Sequence, residues 1–101
     1  MSLSTYTDPD RRSPAWDPGD PELVRYVTEN NQEYALPWHA LGMAQLIPRE
    51  NVMLAHYGPG TFVVTGKGVH DLWEAFCKRK VILIRTDGND ITNVRIELRE
   101  G

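Results

Sequence analysis

Residues 61–86 read TFVVTGKGVHDLWEAFCKRKVILIRT, and this stretch decides the fold. The β-branched run Thr61–Thr65 is typical of a strand, and the turn Gly66-Lys67-Gly68 ends it. The next apolar residues recur at helical spacing and predict an amphipathic helix over residues 69–80, with one face made of Val69, Leu72, Trp73, Phe76 and Cys77. The basic run Lys78-Arg79-Lys80 complements the carbonyl end of that helix. The apolar run Val81–Ile84 then predicts a strand over residues 81–86 that is covered on both faces.

Strands are also predicted on either side of this stretch. A β-rich run over residues 51–57 precedes Gly58-Pro59-Gly60, which predicts a hairpin with Thr61–Thr65. Downstream, Asp87-Gly88-Asn89-Asp90 is typical of a turn. The strand predicted over residues 92–99 alternates outward polar side chains with three inward apolar ones, Val94, Ile96 and Leu98.

The pattern before residue 51 is less regular. Asp20-Pro21-Glu22 supplies a capping residue, a proline at the first helical position and a first-turn acid, which predicts a short helix over residues 21–30. Pro37 and Pro48 would also suit the two ends of a helix, but Gly42 lies between them and the alternation favours a strand. That strand would place four residues on one face: Leu41, Met43, Gln45 and Ile47.

These elements predict one α+β domain over residues 21–101. It would contain a mainly antiparallel sheet of four to five strands, with the helix 69–80 packed on it and the short N-terminal helix 21–30 before it. The chain has 101 residues, of which 41% are hydrophobic, so it can bury one modest core.

Residues 1–20 differ in composition and are predicted to form an extended or disordered arm. They hold three of the seven prolines of the chain, and Pro21 follows directly; proline removes a backbone donor and excludes a continuous helix. Residues 1–35 carry seven acids and three bases, a balance of −4 within a net charge of −3 for the whole chain. Trp16 is a large apolar side chain of this arm, so the arm can remain solvated or can dock Trp16 on a core or a neighbouring chain.

The segment Phe62–Trp73, followed by Lys80–Arg85, resembles small uncharacterised bacterial proteins. The shared pattern is a strand, a Thr-Gly-basic turn, a helix and a Val/Ile strand. The resemblance covers roughly residues 61–86 and implies a fold. It assigns no activity and no functional residue.

Several kinds of site lack the residues they need. One cysteine, Cys77, excludes an internal disulfide and a four-thiolate zinc site. Gly60 and Gly66-Lys67 have the wrong spacing for a phosphate-binding P-loop, and Gly68 stands where its hydroxyl residue belongs. The Gly66–Gly68 turn is therefore expected to be a tight strand-to-helix connection rather than an anion site. No signal peptide or membrane span is visible, so we expect a cytoplasmic protein without metal or cofactor.

Four side chains remain as candidates for chemistry. His56 can act as a general base if a carboxylate lies beside it, which makes a small hydrolase or lyase one alternative. His70 and Glu74 are one helical turn apart, but they lie on the polar side and are expected to be solvated. Cys77 shares the apolar face of the helix and is expected to be a small buried residue rather than a nucleophile.

Basic residues supply a second alternative, an RNA- or DNA-binding module centred on the cluster 78–80. The candidate binding residues are Lys67, Lys78, Arg79, Lys80 and Arg85. Against this, acids interrupt the basic residues of the last strand and no aromatic nucleic-acid motif is present. The residues favour a non-enzymatic binding or assembly module that self-associates through sheet edges or through the arm at Trp16.

Overall fold

The computed structural model describes residues 16–19 and 22–98. In this part of the chain there are eight strands, one α-helix and two short 3₁₀ turns, at Trp38–Ala40 and Pro48–Glu50. The strands are β1 (Trp16–Pro18), β2 (Leu23–Val27), β3 (Glu33–Pro37), β4 (Leu41–Ile47), β5 (Val52–Tyr57), β6 (Gly60–Thr65), β7 (Val81–Ile84) and β8 (Asn93–Leu98), and the helix is α1 (Val69–Cys77).

The strands form two four-stranded sheets rather than the single sheet that the sequence predicted. The first has the order β1-β7-β2-β3, and the second has the order β4-β5-β6-β8. Every neighbouring pair is antiparallel except β7 with β2. The prediction of a mainly antiparallel α+β fold with one helix is confirmed, and so is the element order from β4 to β8.

The predicted N-terminal helix over residues 21–30 is wrong, because strand β2 occupies Leu23–Val27. Val24 and Tyr26 are fully buried while their neighbours Leu23 and Arg25 are exposed, which is the period of a strand. Antiparallel pairing with β3 places Tyr26 opposite Tyr34. Asn31 has a left-handed backbone (φ 61°) in the connecting turn, so the supposed helix stop is a hairpin turn. The capping residues Asp20 and Pro21 lie outside the described residues.

Part of the predicted arm is a strand. Trp16 pairs with Ile84 of β7 and packs against the core, and an ion pair between Asp17 and Arg85 (3.7 Å) joins the same two strands. Residues 1–15 lie outside the described residues.

A β-bulge at Gly42 changes the inward face of β4. Leu41 pairs with Tyr57 and Met43 pairs with His56, so two steps on β4 match one step on β5. After the bulge Ala44 and Leu46 contact the core, and Met43 and Gln45 are exposed. The predicted face of alternate residues from Leu41 to Ile47 is therefore wrong beyond Gly42, although the strand itself is confirmed.

Helix α1 ends at Cys77, three residues before its predicted end. The N–H of Lys80 donates to the carbonyl of Ala75 (2.9 Å), and the N–H of Arg79 donates to the carbonyl of Phe76 (3.0 Å). These two bonds close the helix as a Schellman motif, in which Arg79 adopts the left-handed conformation (φ 58°) that glycine usually supplies. The buried face of α1 is Val69, Leu72 and Phe76, as the apolar spacing predicted.

Three aromatic side chains in mutual contact join the two sheets. The rings of Tyr26 on β2 and Phe62 on β6 are parallel (7°) with centroids 4.0 Å apart. Tyr57 on β5 meets both rings edge-on, and its hydroxyl lies 2.8 Å from that of Tyr26. Burial raises the pKa of both phenols, because ionisation would place a charge in an apolar interior.

The turn from β6 into α1 needs glycine at Gly66. Its φ is +153°, and a Cβ at this position would lie 2.1 Å from the carbonyl oxygen of Asp90. The N–H groups of Gly66 and Gly68 donate to the carbonyls of Asn51 and Asp90. The turn is thus a tight connection whose amides already have partners within the protein.

We expect Gly66→Ala to destabilise the fold by about 2–4 kcal/mol, because the added methyl group overlaps a backbone oxygen. Urea denaturation of the variant and the parent protein measures the difference. Gly58→Ala is the matched control, since a Cβ there meets nothing within 4 Å. Its stability should stay within about 0.5 kcal/mol of the parent. An equal loss in both variants would contradict the steric explanation.

The buried tyrosine pair should make the fold sensitive to alkali. The ordinary tyrosine pKa is 10.0, and both folded values are higher, so the unfolded chain loses these protons first as the pH rises. The raised pKa values of the two tyrosines therefore stabilise the fold fully below about pH 10. This stabilisation is lost as the pH rises from there through the folded pKa values. Denaturant titrations at pH 8 and at about pH 11 measure the decrease.

The double variant Tyr26→Phe/Tyr57→Phe isolates this effect. It removes both hydroxyls together, so no buried polar group loses its partner, and its stability at neutral pH should remain close to that of the parent. Its stability should fall less above pH 10 than that of the parent. The same alkaline decrease in both proteins would assign the effect to other groups.

Candidate functional site

An apolar groove lies between the open edges of the two sheets. It has a volume of about 240 Å³, and its walls are Tyr34–Leu36 of β3 on one side and Ile96 and Leu98 of β8 on the other. Tyr57 and Phe62 of the core also line it, with the Pro59-Gly60 turn beside them. Leu98 is 67% exposed, although it is a large apolar residue within a strand.

Among the described residues, β8 is the outer strand of its sheet, and beyond Val94 no other strand pairs with its outer side. Glu29, in the β2–β3 turn, donates its N–H to the carbonyl of Val94 (2.9 Å), so this carbonyl points away from β6. Backbone direction alternates along an antiparallel strand, which means that the N–H and C=O groups of Ile96 and Leu98 also point outward. Pairing with β6 uses the N–H and C=O groups of Arg95 and Glu97. The outward groups of Ile96 and Leu98 can therefore pair with a further strand.

Strand β3 is the outer strand of the other sheet. Two backbone hydrogen bonds show that Gln32 and Trp38 direct their backbone groups toward β2. They are Thr28 N–H to Gln32 C=O (2.8 Å) and Trp38 N–H to Glu22 C=O (2.9 Å). By the same alternation, Glu33 and Ala35 direct their backbone groups away from the sheet. Pro37 closes this edge, because it has no N–H to donate.

The two edges meet at one end of the groove. The Glu29–Val94 bond joins the β2–β3 turn to β8, and the side-chain amide of Asn93 donates a hydrogen bond to the Glu29 carboxylate. From this junction β3 and β8 run in the same direction along the two walls. The groove is therefore closed at the junction and open toward Leu98.

The charges near β8 lie on its other face. Arg95 and Glu97 form an ion pair (3.0 Å) and are 51% and 60% exposed. The apolar side chains of β8 line the groove while its charged side chains face solvent. The edge as a whole offers unpaired backbone groups, an apolar face and a charged face, the features that another strand requires.

The predicted basic residues are distributed over several elements. Lys67 and Lys78 lie beyond opposite ends of α1, whose nine residues span about 14 Å. Arg79 lies over the ring of Trp38, with its guanidinium carbon 5.3 Å from the ring centroid. Arg85 pairs with Asp17 (3.7 Å), and the carbonyl of Lys80 accepts the N–H of Gly19.

The histidines and the cysteine are placed as follows. Nδ1 of His56 lies 2.9 Å from the Thr61 hydroxyl, and Nε2 is buried without a hydrogen-bond partner among the described residues. A hydroxyl, not a carboxylate, is thus the partner of His56. His70 bonds the side chain of Asn51 (3.0 Å). No group of three metal-ligating side chains lies together in the described part of the chain.

Cys77 is exposed, so its predicted burial is wrong. The residue follows Phe76 at the very end of α1, where the helix no longer faces the core. Partial desolvation and the nearby carboxylate of Glu74 raise the pKa of the thiol. A thiol with a raised pKa is less often the reactive thiolate at neutral pH, which does not favour a nucleophilic role.

The groove residues are not among the candidate site residues that the sequence predicts. The alternation of Val94, Ile96 and Leu98 predicted which side chains face inward, but an edge is defined by strand order. Among the described strands β8 pairs only with β6, and the sequence pattern does not indicate this strand order.

Comparisons with known proteins found no matching family model, curated protein or solved structure. The resemblance of residues 61–86 to small bacterial proteins stays a prediction. Within the described residues, no helix has both the length and the apolar character to cross a bilayer.

Proposed function

We propose that this protein is a non-enzymatic assembly module that forms a symmetric homodimer through β8. The open edge of β8, with Ile96 and Leu98 beside an apolar groove, is the observation that carries the proposal. Pairing of one β8 with the β8 of a second copy joins two four-stranded sheets into one. Antiparallel edge pairing is compatible with two-fold symmetry, which is the commonest symmetry of soluble oligomers.

The direction of the backbone groups selects a register. Ile96 directs its N–H and C=O outward, so Ile96 of each copy can exchange both hydrogen bonds across a two-fold axis. In that register Arg95 lies directly opposite Glu97 of the second copy, and Glu97 lies opposite Arg95. Two ion pairs thus form between the copies on the solvent face.

Apolar contacts support the same register on the opposite face. Leu98 lies diagonally across from Ile96 of the second copy on the groove face, so a residue that is 67% exposed gains an apolar neighbour. The outward carbonyl of Val94 already accepts the N–H of Glu29, so the strand pairing is confined to the residues beyond Val94. The two grooves lie on the same side of the joined sheet, because the two-fold axis is perpendicular to it. The dimer would bring the two apolar grooves together and reduce their exposure to water.

A pair of charge-reversal variants tests this register. Arg95→Glu gives an all-acidic edge and Glu97→Arg an all-basic one, so each should repel a copy of itself. In each variant two opposite-charge pairs become two like-charge pairs, and each pair contributes about 0.2–1 kcal/mol, so the dimer should weaken by about 0.8–4 kcal/mol, which is at least about 4-fold. Both side chains are exposed, and the fold should be unchanged. Sedimentation equilibrium gives the dissociation constants.

Two controls use the same changes. The double variant Arg95→Glu/Glu97→Arg restores complementary charges and should dimerise like the parent. A mixture of the two single variants should form a heterodimer, because glutamates on one copy then face arginines on the other. The proposal is overturned if the parent protein is a strict monomer at about 100 micromolar, or if the single variants dimerise as well as the parent.

A further inference from the structure

A second cavity, of about 530 Å³, lies at the end of the first sheet where β2 begins and β3 ends. Its lining is Glu22 and Leu23 at the start of β2, Pro37 and Trp38 at the end of β3, His39, and Arg79 after α1. Three of these residues are apolar and three carry titratable or charged groups. The volume is within the range of small-molecule sites, which are mostly apolar with a few polar groups at fixed positions.

Packing on several sides fixes the aromatic wall of this cavity. The N–H of Trp38 donates to the carbonyl of Glu22 (2.9 Å), and its ring packs on Phe76 of α1 with centroids 4.9 Å apart. Pro37 precedes it and restricts the backbone at the entry to the 3₁₀ turn. Trp38 is therefore held between the end of β3 and the end of α1.

Arg79, whose guanidinium lies over this ring, also lines the cavity and occupies a strained position. Its left-handed backbone suits glycine, and a side chain there destabilises the helix end relative to glycine. This conformation accompanies the placement of the guanidinium over the Trp38 ring. Strained residues of this kind are concentrated at binding sites, and here a cavity lies beside the residue.

The guanidinium of Arg79 has unused hydrogen-bond capacity. Contact with an aromatic face satisfies none of its five N–H donors. In the described part of the chain Arg79 makes no ion pair and no side-chain hydrogen bond; the arginines that do are Arg25, Arg85 and Arg95. A charged fork with a fixed aromatic support is suited to a planar anion such as a carboxylate, or to a phosphate.

We propose that this cavity binds a small organic anion with a flat, largely apolar body. The anionic group lies on the donors of Arg79, and the body lies against Leu23, Pro37 and the edge of Trp38. Glu22 contributes a negative charge to the same lining, which disfavours a polyanion and favours a ligand with one anionic end and a hydrogen-bond donor elsewhere. Aromatic carboxylates and nucleoside monophosphates share this chemistry.

The test measures binding of two probes by isothermal titration calorimetry. The probes are 6-hydroxy-2-naphthoate for the carboxylate source and adenosine 5′-monophosphate for the phosphate source, and each carries a hydrogen-bond donor away from its anionic end. Inorganic phosphate and adenosine, which are the two halves of the second probe, should each bind more weakly than the whole. Binding of one probe but not the other identifies the anionic group, and either result supports the site.

Arg79→Gly is the decisive variant, because glycine relieves the left-handed strain while it removes the fork. Its melting temperature should be equal to or above that of the parent, and its affinity for the probe should fall at least about 10-fold. Arg79→Lys keeps the charge and loses the fork, so it should also weaken binding and serves if Arg79→Gly fails to fold. Lys78→Ala is the matched control, since it removes an adjacent positive charge outside the cavity and should bind like the parent.

Three results would overturn the proposal. The first is no binding of either probe to the parent protein at millimolar concentration. The second is an equal loss of affinity in Lys78→Ala and Arg79→Gly, which would indicate a diffuse basic surface. The third is tight, salt-dependent binding of a single-stranded oligonucleotide that the probes fail to displace, which would assign the cluster 78–80 to nucleic acid. The dimer should be unaffected by Arg79→Gly, so this site and the β8 interface are tested separately.

Discussion

The parallel stack of Tyr26 on Phe62 is the contact on which the rest of the structure depends. Tyr26 belongs to the first sheet and Phe62 to the second, and their centroid distance of 4.0 Å sets how closely the two sheets approach. Tyr57 adds edge-on contacts to both rings and gives the Tyr26 hydroxyl a partner inside the core. Phe62 and Tyr57 also line the groove between β3 and β8, so the contact that joins the sheets is continuous with the candidate interface.

The sequence predicted the local elements from Gly42 onward better than it predicted how they combine. Residues 61–86 carry clear local signals. Glycines mark the turn, and the spacing of the apolar residues changes from that of a strand to that of a helix. Leu23–Val27 misled the prediction, because Asp20-Pro21-Glu22 has helix-start chemistry while the pairing of Tyr26 with Tyr34 is non-local. Propensity at a few residues does not outweigh a hairpin that buries Tyr26, packs the half-buried Tyr34 against the core and extends a sheet.

Two further differences arise from geometry that a linear pattern does not carry. The bulge at Gly42 shifts the inward face of β4 by one residue. The predicted alternation is therefore correct, but it assigns the wrong residues to the core face. Division of the strands into two sheets depends on β7 pairing in parallel with β2, a partner more than fifty residues away along the chain. The candidate site is hard to predict from the sequence for the same reason, because β3 and β8 become its walls only when both sheets are in place. The charge of Arg79 makes it a candidate binding residue in the sequence. Its position over Trp38 follows from the end of the helix at Cys77, three residues before the predicted end.

The distribution of charge on β8 distinguishes a specific interface from an aggregation-prone edge. An exposed apolar edge pairs with many strands, and proteins restrict such pairing by placing charges along it. On β8 the charges are of opposite sign at Arg95 and Glu97, so they repel a copy in the registers that pair Arg95 with Arg95 or Glu97 with Glu97, and they attract it in the antiparallel register centred on Ile96. Like-signed charges would block every self-pairing, and uncharged residues would permit register slippage. An alternating pair on the solvent face is therefore compatible with a solubility role for the monomer and with a defined register for the dimer.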